Sequence, residues 1–256
     1  MRMKKPYPIK ISPTPIISAI VELRFEISCP ADAVFGLVYH KLKDSYPLTE
    51  RFPILPIQDE VKLKENLPET PYYRFSQANA SLAVLVGPKI FVFTYSKKDL
   101  KNIDDYPGWN EYIKPELLEL YGWLFSLKFI SKVTRLGIRY NDFFPKINIF
   151  DYTEVNLLNK NGERQDEGKT QILQTIERNN VRNNITISNN AAFKSKNGEL
   201  VLGSMTDIDS LRNSFETDFF TDYQRYLQDC HNINKELFFE MLKKELIDDY
   251  NPLYEG

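Results

Sequence analysis

The chain has 256 residues, with 33 Lys and Arg against 35 Asp and Glu and a formal net charge of -2. Hydrophobic residues make up 42% and charged residues 27%, which excludes a disordered or collagen-like chain. The near-neutral balance excludes a wholly basic nucleic-acid binder.

Within the first 15 residues four prolines and no periodicity describe an extended lead-in. From Ile20 to Ile27 the chain alternates, Val21, Leu23, Phe25 and Ile27 on one side and Glu22, Arg24 and Glu26 on the other, a strand with one core face. Cys29-Pro30 breaks it. Asp32 is the expected cap of a helix over 32–46, in which Phe35, Val38, Tyr39, Leu42 and Tyr46 recur at helical spacing. Prolines at 47, 53, 56, 68 and 71 make 47–71 an irregular connection. Three short runs, 72–76, 82–86 and 90–95, form a meander turning at Gln77–Ala80 and Gly87–Lys89.

A second helix is predicted over 109–125, where Trp109, Tyr112, Ile113, Leu117, Leu120, Tyr121 and Leu124 share a stripe and Pro115 should kink or restart it. Residues 130–143 return to strand alternation, with Leu136, Ile138 and Tyr140 on one face and Arg135, Gly137 and Arg139 on the other. A polar stretch over 150–170 is the best candidate boundary. Beyond it lie strands near 171–177, 184–188 and 199–203, with a hairpin turn at Lys196-Asn197-Gly198. Asn179–Asn184 is polar turn material. A long helix is then expected from about Thr221 to Tyr250.

The order predicts an α+β fold. Residues 1–150 read as a ferredoxin-like (split βαβ) half, one sheet face covered by two helices, with the strands at 20–27 and 130–142 adjacent and antiparallel. Residues 151–256 read as antiparallel strands followed by a long helix, packed on the first half. No apolar run approaches the roughly 18 residues of a membrane span, and the basic start has no apolar stretch behind it as a secretory signal would. Two cysteines, Cys29 and Cys230, make no disulfide framework, so a cytoplasmic protein is expected.

Pro15-Ile16 with Ala19, Glu22, Arg24 and Phe25, then Tyr46-Pro47, Arg74-Phe75-Ser76, Val86-Gly87-Pro88, Tyr106-Pro107-Gly108-Trp109, Arg135–Asn141 and Asp207-Ile208-Asp209 occur in that order. Together they resemble a sporadically distributed family of uncharacterised prokaryotic proteins of about this length, and the likeness spans nearly the whole chain. The resemblance brings no activity and no catalytic residues. It implies a dispensable function, as in mobile and defence-linked genes. Where that family often has Leu-His in its last helix, this chain has Cys230-His231.

Only His40 and His231 are present, which excludes a His-rich zinc site, and neither phosphate-loop nor dinucleotide glycine spacing occurs. Adjacent Cys230 and His231 point about 100° apart on a helix, so Cys230 is read as an inert core thiol and not as a nucleophile. Asp207 and Asp209, placed at a strand end, would hold a divalent cation with Glu199 or Asp218, or else form a polar terminus with a cap at Asp209 or Ser210.

Arg135 and Arg139 flank Gly137 on one face, with two intervals of about 6.6 Å between them. That leaves a flat groove between two guanidiniums, suited to phosphate or carboxylate. The structural reading pairs them across strands with Glu22 and Glu26. Tyr72, Tyr73, Phe75, Phe91, Phe93 and Tyr95 flank the sheet, as in aromatic RNA-reading faces, or else fill the core.

The function expected is a non-catalytic binding or accessory protein of a prokaryotic multi-component system, genome defence among the candidates. It holds an anionic ligand or a protein partner at a sheet face. The candidate ligand-binding residues are Arg135, Arg139, Tyr140, Glu22 and Arg24, with no catalytic residue, metal or cofactor assigned. A partner from the same gene cluster is expected, and nucleic acid has weaker support. The alternatives are an RNA-processing enzyme using His231 or His40 with Tyr140 or Arg139, and a small-molecule pocket under the C-terminal helix.

Overall fold

The computed structural model describes residues 7–52, 69–78, 81–100, 106–155, 157–166, 168–194 and 198–255. Most of the irregular stretch expected over 47–71, the end of the turn at Asn79–Ala80, and Lys196-Asn197 lie outside the described residues. The chain is mixed α+β, a nine-stranded antiparallel sheet with a long C-terminal helix. Its strands are β1 (Ile16–Ile27), β2 (Leu48–Arg51), β3 (Tyr73–Ser76), β4 (Leu82–Gly87), β5 (Ile90–Ser96), β6 (Ile130–Pro145), β7 (Gln171–Arg178), β8 (Val181–Lys194) and β9 (Leu200–Arg212). The helices are α1 (Ala31–Ser45), α2 (Lys114–Ser126), α3 (Phe219–Met241) and α4 (Lys244–Asp249). The sheet order is β2-β3-β4-β5-β1-β6-β9-β8-β7.

β1 and β6 are adjacent and antiparallel as expected. Ala19, Val21 and Leu23 stand opposite Tyr140, Ile138 and Leu136, and this face is buried. Phe75, Phe91, Phe93 and Tyr95 are buried with it, so these aromatics are core and not a stacking platform. Tyr121 of α2 meets Phe91 edge-on, and Phe35 of α1 stacks on Phe75, which fastens both helices to the apolar face.

The first helix begins at Ala31 after Pro30, and Asp32 sits inside its first turn instead of capping it. Pro115 does restart the second helix: a π-turn over Trp109–Ile113 precedes α2, which carries the proline in its first turn. Gly108 opens that turn at φ 86°, where a Cβ would lie 2.3 Å from Glu111 Oε2.

Three boundaries differ from the sequence reading. Residues 48–51 of the expected connection form an edge strand on β3. Of the Asn-rich segment only Asn179 and Asn180 turn, at φ 52° and 61°, the both-positive pair that a tight hairpin needs. Val181–Asn184 already belong to β8. Asp207 and Asp209, expected at a strand end, lie inside β9. Aspartate is depleted in strands, but here Thr206, Ile208 and Ser210 alternate inward while the aspartates meet arginines across β6.

The long helix starts at Phe219, with the Asp218 side chain accepting from the Thr221 N–H at 3.2 Å. It stops at Met241, short of Tyr250, because Leu242 bridges Thr153 and the Lys243 N–H donates to the Tyr152 carbonyl at 2.7 Å. The helix crosses β6 and β9. Buried Asn234 pins it there, its Nδ2 donating to the Ile208 carbonyl (2.8 Å) and Ser210 Oγ (3.1 Å). No helix among the described residues is long and apolar enough to cross a membrane.

Candidate binding face of the sheet

Alternation decides which side chains meet. On β6 the odd positions Arg135, Gly137 and Arg139 face away from the helices. Glu22, opposite Gly137, and Arg24, opposite Arg135, share that side from β1. Four of the five candidate residues therefore assemble: Glu22, Arg24, Arg135 and Arg139. Tyr140 does not join them, because the same alternation turns it into the helix-covered layer, where it is buried.

The arginines are engaged. Arg24 Nε donates to Glu22 Oε1 at 2.6 Å, and its Nη1 reaches Glu69 at 2.5 Å. Arg135 lies 3.1 Å from Glu22 through Nε and 3.1 Å from Asp209 through Nη2. Arg139 forks onto Asp207, with Nε at 2.7 Å from Oδ1 and Nη2 closing on Oδ2. Glu26, expected opposite the arginines, instead pairs with Lys89 at 2.8 Å.

The expected groove over Gly137 is filled. A Cβ built there would lie 3.6 Å from Asp209 Oδ1 and 3.7 Å from Arg135 Nε. The glycine thus lets the Arg135 side chain run along the strand towards an aspartate that stands opposite Arg139. Three guanidiniums here meet four carboxylates, Glu22, Glu69, Asp207 and Asp209. The hydrogen-bonded Asp207 carboxylate holds Arg139 firmly protonated against the opposing effect of burial. Burial pushes the Asp209 carboxyl up, and Arg135 and Arg139 only partly reverse this. A free anion would have to displace a carboxylate already in place. The cation-binding set proposed around Asp207 and Asp209 is likewise turned to guanidiniums, while Asp218 caps α3.

Sequence reasoning missed the contribution of β9. The available signal was the spacing of Asp207 and Asp209 around inward Ile208, which mirrors the outward arginines of β6.

A second polar group occupies the buried side of the same strand. The Tyr140 hydroxyl lies 3.2 Å from His231 Nδ1 and 3.3 Å from the Tyr106 hydroxyl, and His231 stacks on Trp109 at 4.2 Å and 5°. Burial, then Lys235 and Lys114, bring the His231 pKa down to about 3. Next along β6, buried Asp142 accepts from Thr206 Oγ1 at 3.1 Å, and burial raises its pKa to about 7. Cys230 is fully buried in the stripe with Tyr226, Ile233 and Leu237, and burial raises its thiol to about 12, so it is inert. His40 is exposed on α1.

No family model matches the chain, and no curated protein does.

Proposed function

We propose that this chain is a non-catalytic binding or accessory protein of a prokaryotic multi-component system, and that it holds a protein partner on the polar face of β1, β6 and β9. The observation that carries this reading is the pre-paired ion mesh Arg24–Glu22–Arg135–Asp209 with Arg139–Asp207. Partly exposed ion pairs contribute about 1 kcal/mol or less to stability, so stability alone accounts poorly for such a mesh. Pre-positioned charges of both signs confer register and selectivity on a polar protein contact. Carboxylates outnumber guanidiniums, which disfavours phosphate backbones.

The neighbour order β4-β5-β1-β6, all antiparallel, supports a ferredoxin-like reading of residues 1–150. The family resemblance supports the multi-component, defence-linked setting. Two free cysteines support a reducing cytoplasm.

The test exchanges a pair. Arg139→Asp with Asp207→Arg keeps the internal ion pair and inverts the polarity presented to a partner. Proteins encoded beside this gene are co-expressed and co-purified with the wild type and with the exchanged variant. The expected result is loss of the partner with an unchanged melt. Retention of the partner by the exchanged variant, or a salt-dependent nucleic-acid shift by the wild type that this variant loses, overturns the reading.

A further inference from the structure

His231, on α3 beside the buried side of β6, is only partly buried and forms the rim of that layer. Four polar groups converge on that rim. Trp109 is buried with its indole Nε1 unpartnered, although its ring lies flat against His231. A buried donor without an acceptor is destabilising, so this indole N–H calls for a partner. Lys235 stands four residues after His231, on the same side of α3, at a typical Cβ spacing of about 5–6 Å. Lys114, at the start of α2, is tied to α3 by Nζ donating to Gln228 Oε1 at 2.7 Å. Gln228 precedes His231 by one turn, and both ammoniums act on the imidazole.

We propose that this rim binds a phosphate-class oxyanion, held by the Lys114 and Lys235 ammoniums, the Trp109 indole N–H and His231 Nε2. The hydrogen-bond chain behind the ring supplies the polarity. In this site Tyr106 is taken to donate to Tyr140 and Tyr140 to Nδ1, the arrangement that places the ring proton on Nε2. Every group at the rim is then a donor or a cation. The acidic groups acting on these residues lie to either side: Glu255 on Lys235, Glu111 and Asp142 on Tyr106, and Asp142 also on the buried Tyr140. Burial, then both lysines, depress His231, and a bound anion opposes that effect. Desolvation lowers the half-buried Lys235 as well, the response of an ammonium short of counter-charge. This site lies across the sheet from the ion mesh and does not depend on the partner reading.

The probe is inorganic phosphate added to the full chain. Binding is followed by Trp109 emission in a Trp123→Phe background and by the ring nitrogens of His231 in NMR. Saturable binding is expected, with the His231 pKa rising by a unit or more on saturation. Lys235→Met should weaken phosphate at least tenfold. Trp109→Phe keeps the ring stack, removes the N–H, and should weaken it severalfold with the melt preserved. Absence of a saturable response to tens of millimolar phosphate overturns the proposal. So does phosphate binding indifferent to Lys235→Met and Lys114→Met, or acetate binding as tightly as phosphate.

Discussion

Along β6 the residues Arg139 and Tyr140 are neighbours in sequence and opposites in chemistry. Arg139 enters a layer where its side chain stays 47% exposed, and its charge is kept by pairing with Asp207. Tyr140 enters the helix-covered layer with buried Asp142 and the partly buried His231, and there the charges are suppressed: the imidazole stays neutral down to about pH 3 and the carboxyl holds its proton to about pH 7. Partial water access lowers the cost of keeping an ion, whereas full burial makes neutralisation cheaper than pairing. One strand therefore carries paired charges on one side and titrating, uncharged chemistry on the other.

The largest test of this contrast is the pH dependence of stability. Asp142 has a folded pKa of about 7 against 3.8, so the folded chain binds the extra proton between about pH 4 and 7 and stability falls as pH rises through that window. His231 has a folded pKa of about 3 against 6.5, so the unfolded chain binds the extra proton and stability rises with pH between about 3 and 6.5. Each slope is about 1.4 kcal/mol per pH unit, and the two oppose each other over the shared window. Denaturant melts of the wild type should thus show little net slope from these groups between about pH 4 and 6.5. Asp142→Asn should expose the rising slope and His231→Gln the falling one, each reaching a few kcal/mol across the window. Parallel profiles in the two variants would break the assignment of neutral groups to the buried side.

On the charged side the mid-sized effect belongs to Gly137. Alanine meets its neighbours at 3.6 Å, ordinary contact, and should cost under about 1 kcal/mol. Leucine would occupy the path of the Arg135 side chain, separate it from Asp209 and leave a half-buried carboxylate unpaired, at about 2 kcal/mol. Urea midpoints of the two variants measure the difference. Equal midpoints would mean that Arg135 does not depend on the gap.

The smallest effect is expected for Arg139→Met. Its pair with Asp207 is the most exposed of the β6 contacts, and solvent screening limits the loss to about 1 kcal/mol or less. A melt in high salt should shrink even that difference. A drop as large as that of Gly137→Leu would show this end of the mesh to be drier than its exposure indicates.

The strand at β1, the opposed faces of β6, the meander and the restart at Pro115 were legible in the residues, because each rests on a local period or on a backbone restriction within a few positions. The same alternation already set Tyr140 apart from Arg135 and Arg139. β9 was not legible as one strand: its aspartates look like turn residues until arginines from another strand neutralise them. The break after Met241 was also hidden, since it depends on Tyr152 and Thr153, some ninety positions earlier.

The sequence by itself determined the elements and which residues of a strand share a side, since those follow from the geometry of neighbouring peptides. Only the tertiary structure decided the partners. Asp207 for Arg139, Asp209 for Arg135 and His231 for Tyr140 are separated by 68, 74 and 91 positions, and what joins them is the placement of β9 and α3 against β6. That placement is set by burying both layers at once, a collective balance to which no local pattern corresponds.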